Sequence, residues 1–163
     1  MVRTNRNIHF DWIRENNIAE IVEIESHSFP SWTEQQLREV LSHPHCVGMV
    51  GYLEGIPRGF MVYELYKHRL DVITLAVHIE HRCQGLGTAL INKLKSKLSY
   101  EGRPEIVLTI CERNVNAQLW LRGQGFVCVD TIPKYYNSRS DDAYLFSYRI
   151  DRDVWSRRHT LAR

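Results

Sequence analysis

The chain has 163 residues, of which 44% are hydrophobic and 25% are charged, and its formal net charge is +2. These values are typical of one soluble globular domain with a sizeable core, and the small charge argues against a nucleic-acid partner. No apolar run reaches the length of about 18 residues that a membrane helix needs, and the N-terminus lacks the apolar segment of a signal peptide. We therefore expect a cytoplasmic protein with no membrane partner, a monomer or weak dimer, with one domain over 1–150 and a basic tail over 151–163.

The first part of the chain predicts a strand, two helices and an antiparallel pair of strands. Thr33 followed three residues later by Gln36 resembles a capping box, which would begin the second helix. Pro30 and Pro44 mark the ends of the two helices, and packing of the helices is one interpretation of the apolar corner between them. The predicted bounds are a strand over 7–14, helices over 15–29 and 33–41, and strands over 46–52 and 59–66.

The central stretch predicts a strand, a glycine-containing turn and a helix. The apolar, β-branched residues of 70–79 are typical of a buried strand, and the helix after the turn runs to about Leu98. Gly85 and Gly87 lack a Cβ where a ligand could lie against the backbone. The first turn of a helix offers N–H groups and partial positive charge, which favours phosphate binding. The sequence therefore predicts a pyrophosphate site at this turn.

Two common phosphate-binding motifs do not fit this turn. A dinucleotide-binding fingerprint needs a third glycine where the chain has Leu90. A P-loop needs Gly-Lys-Ser/Thr, but Thr88 follows Gly87 directly.

The remaining residues predict strands and one short helix, without a metal site. Cys46, Cys111 and Cys128 lie among apolar residues and are interpreted as buried thiols, while Cys83 lies in the turn. We expect no metal, because His43 and His45 straddle a proline without a further ligand at suitable spacing. The predicted bounds are strands over 105–110, 126–132 and 143–150 and a helix over 113–121. The element order predicts a mixed α/β sheet.

Arg82-x-x-Gly85-x-Gly87 after a strand resembles the acetyl-CoA loop of the GNAT N-acetyltransferase superfamily, and the element order matches that superfamily over Ile8–Ile150. Asn114-x-x-Ala117 with Gly125-Phe126 resembles a second segment of these enzymes, which contacts the pantetheine arm. The resemblance implies a mixed, mostly antiparallel central sheet, splayed at its middle strands and flanked by about four helices. It implies acetyl-CoA as the acetyl donor. The implied cofactor-binding residues are Leu75, Ala76, Val77, Arg82, Cys83, Gln84, Gly85, Leu86, Gly87, Thr88, Ala89, Asn114 and Ala117.

Within the superfamily, the chain resembles the RimI-like ribosomal-protein-alanine acetyltransferases and their N-terminal acetyltransferase relatives. The residues that carry this resemblance are the Phe29-Pro30-x-Trp32 corner and Tyr135-Tyr136 followed by Asp142-Ala143. It implies an acyltransferase that acetylates a protein or peptide N-terminal α-amine, such as that of a ribosomal protein. The implied substrate-binding residues are Phe29, Pro30, Trp32, Thr109 and Tyr135.

The chain departs from the RimI-like pattern at the two positions that move protons. Thr109 stands where those enzymes have a glutamate base, and Leu121 stands where they have a tyrosine acid. By resemblance, Asp71 matches a position where a relative has a catalytic tyrosine, and it is the candidate base, acting through a water. Tyr135 and Tyr136 are the candidates for protonating the thiolate or positioning the acceptor. For Asp71, a solvated carboxylate at the strand end is an equal alternative.

Three interpretations of the function stay open on these residues. The first is N-terminal acetyl transfer, the second is acetyl transfer to a small-molecule amine, and the third is a CoA-binding module with weakened catalysis. We interpret His78 as a surface histidine, and we expect Glu112 to form a salt bridge with Arg113 or Arg82.

Overall fold

The computed structural model describes residues 7–28, 31–136 and 140–151, and these contain seven strands and four α-helices. The strands are β1 (Ile8–Trp12), β2 (Cys46–Leu53), β3 (Ile56–Leu65), β4 (Arg69–Val77), β5 (Glu105–Cys111), β6 (Val127–Tyr136) and β7 (Asp141–Arg149). The helices are α1 (Ile18–Glu25), α2 (Glu34–Ser42), α3 (Leu86–Lys95) and α4 (Val115–Gly123). None of the helices in these ranges is long and apolar enough to cross a membrane.

The strands are hydrogen-bonded in the order β1-β2-β3-β4-β5-β7-β6. The pairs β1–β2, β2–β3, β5–β7 and β6–β7 are antiparallel, whereas β4 and β5 are parallel. The register between β4 and β5 joins Arg69–Val72 to Glu105–Leu108, although both strands continue further. This confirms the expected mixed, mostly antiparallel α/β fold.

The chain divides into two compact units. The first comprises Met1–Glu64 and Ile73–Ser96, and the second comprises Leu65–Val72 and Lys97–Arg163. The division falls inside β4, so the end of this strand that leads into the glycine-containing turn belongs to the first unit.

The core of the first unit lies between the helices α1 and α2 and the strands β3 and β4. Its fully buried side chains include Ile21, Leu37 and Phe60, and Trp32 packs against them. The capping box predicted for α2 is confirmed, because Thr33 Oγ1 accepts the Gln36 N–H and the Gln36 side chain bonds back to Thr33. The segment predicted as one helix over 15–29 is instead a 3-10 turn followed by the shorter α1.

The core of the second unit is formed by inward-facing residues of β5, β7 and α4. Ile106, Leu121 and Phe146 are at most 1% exposed. Cys111 is buried as expected, but Cys128 is exposed, because β6 is the edge strand and its residues are largely open to solvent. The predicted strand over 126–132 extends through Tyr136, and this places both tyrosines of the pair on β6.

Candidate active site

The predicted pyrophosphate site is a tight turn between β4 and α3. After Val77 the chain forms a 3-10 turn over Ile79–His81, and α3 begins at Leu86. Cys83 and Gly85 both have left-handed backbone, with φ values of 58° and 91°. A glycine suits this conformation because it has no Cβ to clash with the following carbonyl. Gly85 is the N-cap of α3, and its carbonyl accepts the first helical hydrogen bond from the Ala89 N–H at 2.9 Å.

This turn is suited to a diphosphate. The first turn of α3 has N–H groups with no acceptor inside the helix, and the helix dipole adds partial positive charge. Within α3, all of which the structure describes, the first turn carries no acidic side chain. A Cβ placed on Gly85 would meet no atom within 4 Å, so the backbone is open to a ligand at this point. The residues present therefore fit the negatively charged diphosphate of coenzyme A.

Two of the predicted cofactor ligands brace the turn. Arg82 Nε donates to the carbonyl of Val77 at 3.1 Å, and Arg82 Nη2 donates to the carbonyl of His27 at 3.2 Å. The Gln84 side chain donates to the carbonyl of Glu80 at 3.2 Å. These bonds hold the turn against the end of β4 and the segment that follows α1, so that its N–H groups are preorganised.

Two glycines that face each other on β2 and β3 position α3. Gly51 pairs with Gly59, and a Cβ on either would lie 3.0 Å from a methyl carbon of Leu86. Leu86 is 1% exposed and is the first residue of α3. The missing side chains therefore let the start of this helix lie directly on the sheet. This pair could not be predicted from the sequence, because the β2–β3 register that joins the two glycines is not visible in a local pattern.

Glu25 is a buried carboxyl group that the sequence analysis also missed. It lies at the end of α1, is 1% exposed, and its Oε2 has no hydrogen-bond partner among the described residues. Burial raises its pKa from 4.5 to about 7, while hydrogen bonds from the Trp32 N–H and the Ser28 and Thr74 hydroxyls work in the opposite direction. Glu25 therefore joins the corner after α1 to β4 and changes its charge near neutral pH.

The stability of the chain should depend on this carboxyl group. Because the pKa is higher in the folded state, the folded chain binds more protons than the unfolded chain between pH 4.5 and about 7. The free energy of unfolding contributed by this group therefore falls as the pH rises through that interval and is constant above it. Glu25→Gln should raise the free energy of unfolding by on the order of 2 kcal/mol at pH 8 and by much less at pH 5.

Urea unfolding at both pH values measures this difference. The exposed Glu39 on α2 provides the control, because Glu39→Gln changes the same chemical group without a buried charge. Equal effects of Glu25→Gln at pH 5 and pH 8 would contradict the assignment.

In the second unit, Asn114 and Ala117 contact each other at the start of α4. Asn114 Oδ1 accepts the Ala117 N–H at 3.1 Å and so caps the helix. Both were predicted to contact the cofactor. The cap holds their backbone in a fixed arrangement, and the cofactor contact stays a prediction.

Tyr136 is the half-buried member of the tyrosine pair. Burial raises its pKa to about 12, with smaller contributions from Cys111 and Tyr135. Its ring lies edge-on to that of Tyr135, with 5.0 Å between the centroids, and Tyr135 is 50% exposed. Tyr136 therefore stays protonated over the whole physiological range and can act as a hydrogen-bond donor.

Acidic residues at the start of β7 organise the ends of β5 and β6. The buried Asp141 accepts a hydrogen bond from Arg113 Nε at 2.7 Å. Asp142 accepts the Lys134 N–H at 2.8 Å, and its own N–H donates to Glu112 Oε1 at 3.0 Å. The salt bridge predicted between Glu112 and Arg113 is therefore wrong, because a carboxylate from β7 reaches Arg113 instead. Arg82, the other predicted partner, bonds to backbone carbonyls in the first unit.

The candidate base Asp71 lies on β4 beside Arg69. Its two carboxylate oxygens are 2.7 Å from Arg69 Nε and 3.0 Å from Arg69 Nη2. A proton transfer to Asp71 would have to compete with this ion pair. Thr109 is half-buried on β5 opposite Leu145, and Leu121 is completely buried in α4.

The remaining predicted site residues belong to the end of β4, the start of α3 and the corner after α1. Leu75, Ala76 and Val77 form the end of β4, with Ala76 buried and the other two half-buried. Gly87, Thr88 and Ala89 lie half-buried in the first turns of α3. Trp32 packs on the core of the first unit, which supports the packing interpretation of the corner. Phe29 and Pro30, and the tail beyond Asp151, lie outside the described residues.

Residues 18–126 match the family described as "Acetyltransferase (GNAT) family". The fold is also similar to that of the ribosomal-protein-S18-alanine N-acetyltransferase from Escherichia coli, with a TM-score of 0.78, 19% identity and coverage of 89% of this chain and 95% of that one. Ard1 from Thermoplasma volcanium aligns with a TM-score of 0.79 and 21% identity over 88% of this chain and 98% of its own. Arabidopsis thaliana Naa50 in complex with the bisubstrate analogue CoA-Ac-MVNAL aligns with a TM-score of 0.72 and 24% identity over 88% of this chain and 99% of its own.

The family match over 18–126 and the fold define the class of protein, an acetyltransferase. The chain belongs to the GNAT acetyltransferase family.

Proposed function

We propose that this chain transfers the acetyl group of acetyl-CoA to the α-amine of a protein or peptide N-terminus. The observation that carries the proposal is the preorganised turn from Arg82 to Ala89, with left-handed Gly85 at the start of α3, inside the region that matches the family. Acetyl-CoA supplies an acetyl thioester, and the N–H groups of this turn hold its diphosphate. The backbone at Leu75, Ala76 and Val77 is proposed to hold the pantetheine arm and the thioester carbonyl.

The peptide acceptor is supported by the similar structures. The Escherichia coli enzyme is described as acting on a ribosomal-protein alanine, and Naa50 was crystallised with CoA joined to the peptide MVNAL. In this chain, the corner after α1, with Phe29, Pro30 and Trp32, is proposed to line the acceptor site. Glu25 fixes this corner through the Trp32 N–H.

The proton chemistry is assigned to residues other than those of the RimI-like pattern. A free α-amine has a pKa near 7.7–8.0, so part of it must lose a proton before it can attack. Asp71 is proposed to accept this proton through a water, and Asp71→Asn should then lower the maximal rate more at low pH than at high pH. An unchanged pH profile would remove Asp71 from the mechanism.

Tyr136 is proposed to donate a hydrogen bond to the departing thiolate. A phenol with a pKa of about 12 is a weaker acid than a thiol, whose pKa is near 8.5, so full proton transfer from Tyr136 is unfavourable. A hydrogen bond stabilises the developing negative charge without that transfer. Tyr135 is proposed to contact the acceptor.

Acetyl transfer to a panel of free amines tests the function. The panel contains peptides with different N-terminal residues, the same peptides with blocked N-termini, and polyamines, aminoglycosides and amino acids. We expect release of free CoA thiol and a mass increase of one acetyl group for the unblocked peptides only. Transfer to the small amines alone would replace the peptide acceptor. Acetyl-CoA binding without transfer to any amine would favour a binding module instead of an enzyme.

A further inference from the structure

Two histidines and a glutamate lie together in the 3-10 turn that follows β4 and at its N-cap residue. His78, Glu80 and His81 each offer one ligand atom, and these three atoms all lie within 4.8 Å of one another. His78 is 8% exposed, so its interpretation as a surface histidine is wrong. Its backbone N–H donates to the carbonyl of Arg58 on β3 at 2.8 Å, which holds this residue against the sheet.

The spacing of the two imidazole rings matches a shared metal ion. Nδ1 of His78 and Nδ1 of His81 face each other at 3.3 Å. Two nitrogen ligands that each lie 2.0–2.1 Å from a tetrahedral zinc ion are about 3.3–3.4 Å apart. The two rings therefore need little rearrangement to bind the same ion, and the exposed carboxylate of Glu80 can turn towards it.

An acidic residue stands on the far side of His78. Nε2 of His78 lies 4.0 Å from Oε1 of Glu23 on α1, whose side chain is exposed. Histidines that bind metals typically donate their second ring N–H to a carboxylate, which fixes the tautomer and raises the basicity of the ligating nitrogen. With Nε2 protonated towards Glu23, Nδ1 of His78 carries its lone pair on the side of His81.

The same contacts also allow an arrangement without metal. His78 Nδ1 lies 3.3 Å from the Glu80 N–H, and one neutral ring could donate to the other. Both contacts are near the long limit for hydrogen bonds, so they are weak competitors for the lone pair of His78.

We propose that His78, Glu80 and His81 bind a divalent transition-metal ion of the zinc type, with a fourth position open to water. Imidazole and carboxylate are ligands that zinc accepts in this number when one position stays open. The proposed site directly precedes Arg82, which braces the diphosphate-binding turn. A bound ion would therefore stabilise the 3-10 turn, which directly precedes the diphosphate-binding turn. This site does not depend on acetyl transfer.

Metal binding to the untagged full-length chain tests this proposal without any acetyl-CoA. After treatment with a chelator, the protein is titrated with cobalt(II) while visible absorption is recorded, and with zinc by calorimetry. We expect one equivalent of cobalt to bind with the intense visible bands of four-coordinate geometry. His81→Ala and Glu80→Gln should each weaken binding, His81→Ala by more than about 100-fold and Glu23→Gln by about 10-fold.

A matched pair of histidines provides the control. His43 and His45 are exposed, and their ring centroids are 5.8 Å apart, so His43→Ala and His45→Ala should leave binding unchanged. His81 and Glu80 are preferred to the buried His78 for substitution, and circular dichroism checks that each variant is folded. Equal affinity in the parent chain and in His81→Ala, or loss of binding only in the His43 and His45 variants, would overturn the site.

Discussion

Gly87→Trp should abolish acetyl-CoA binding while the chain stays folded. Gly87 is the second residue of α3 and is half-buried in its first turn, next to the left-handed Gly85. An indole at this position covers the N–H groups on which the diphosphate would lie. We expect the Kd for acetyl-CoA to rise at least 100-fold, which corresponds to about 2.8 kcal/mol, as measured by calorimetry.

Two variants separate this effect from damage to the fold. Gly87→Ala adds only a methyl group and favours the helix, so it should weaken binding much less. Gly123→Trp places the same indole at the end of α4, where a Cβ would meet no atom within 4 Å, and it should leave binding unchanged. Undiminished binding in a folded Gly87→Trp would mean that the diphosphate site lies elsewhere.

Tyr136→Phe should lower kcat by about 100-fold and leave the Kd for acetyl-CoA unchanged. The loss is the typical cost of removing one hydrogen-bond donor from a developing anion. Because the pKa of Tyr136 is about 12, the phenol stays protonated, and this residue should cause no loss of activity as the pH rises from 7 to 10. Steady-state kinetics with the best acceptor peptide measures kcat and its dependence on pH, and calorimetry measures the Kd for acetyl-CoA.

Tyr135→Phe is the natural comparison for this residue. Tyr135 is the neighbouring tyrosine, is 50% exposed, and is proposed to contact the acceptor. Its substitution should mainly raise the KM for the peptide and leave kcat nearly unchanged. If both variants retained the parent kcat, neither hydroxyl would take part in the reaction.

The sequence was sufficient to predict the β4–α3 turn because its signals are local. A strand, the residues Arg82 to Gly87 and an amphipathic helix follow one another without interruption. The capping box at Thr33 was predictable for the same reason, since both partners lie within three residues. These features depend on backbone preferences that act over short distances.

The features that were missed depend on residues distant in the chain. The raised pKa of Glu25 depends on its burial in the fold, while Thr74 on β4 is one of its hydrogen-bond donors. The backbone of His78 bonds to Arg58 on β3, a residue distant in the sequence. Asp141 reaches Arg113 through the β5–β7 register, which no local pattern encodes. Long-range packing of this kind decides which side chains are buried and which partners they meet.

The residues that move protons could not be predicted from the resemblance alone. Thr109 replaces the expected base and Leu121 the expected acid, and the completely buried Leu121 belongs to the core of the second unit. Without the glutamate and the tyrosine of the RimI-like pattern, the resemblance does not assign a base or an acid to this chain. The role of Asp71 therefore stays a proposal from the sequence, and that of Tyr136 is a proposal that rests on the protonation of its phenol.

A crystal structure of the chain with acetyl-CoA tests the central claim most directly. We expect the diphosphate oxygens to accept hydrogen bonds from backbone N–H groups of the turn between Arg82 and Ala89, at 2.7–3.2 Å. A diphosphate bound away from the start of α3, with that turn facing only solvent, would show that this turn is not the donor site.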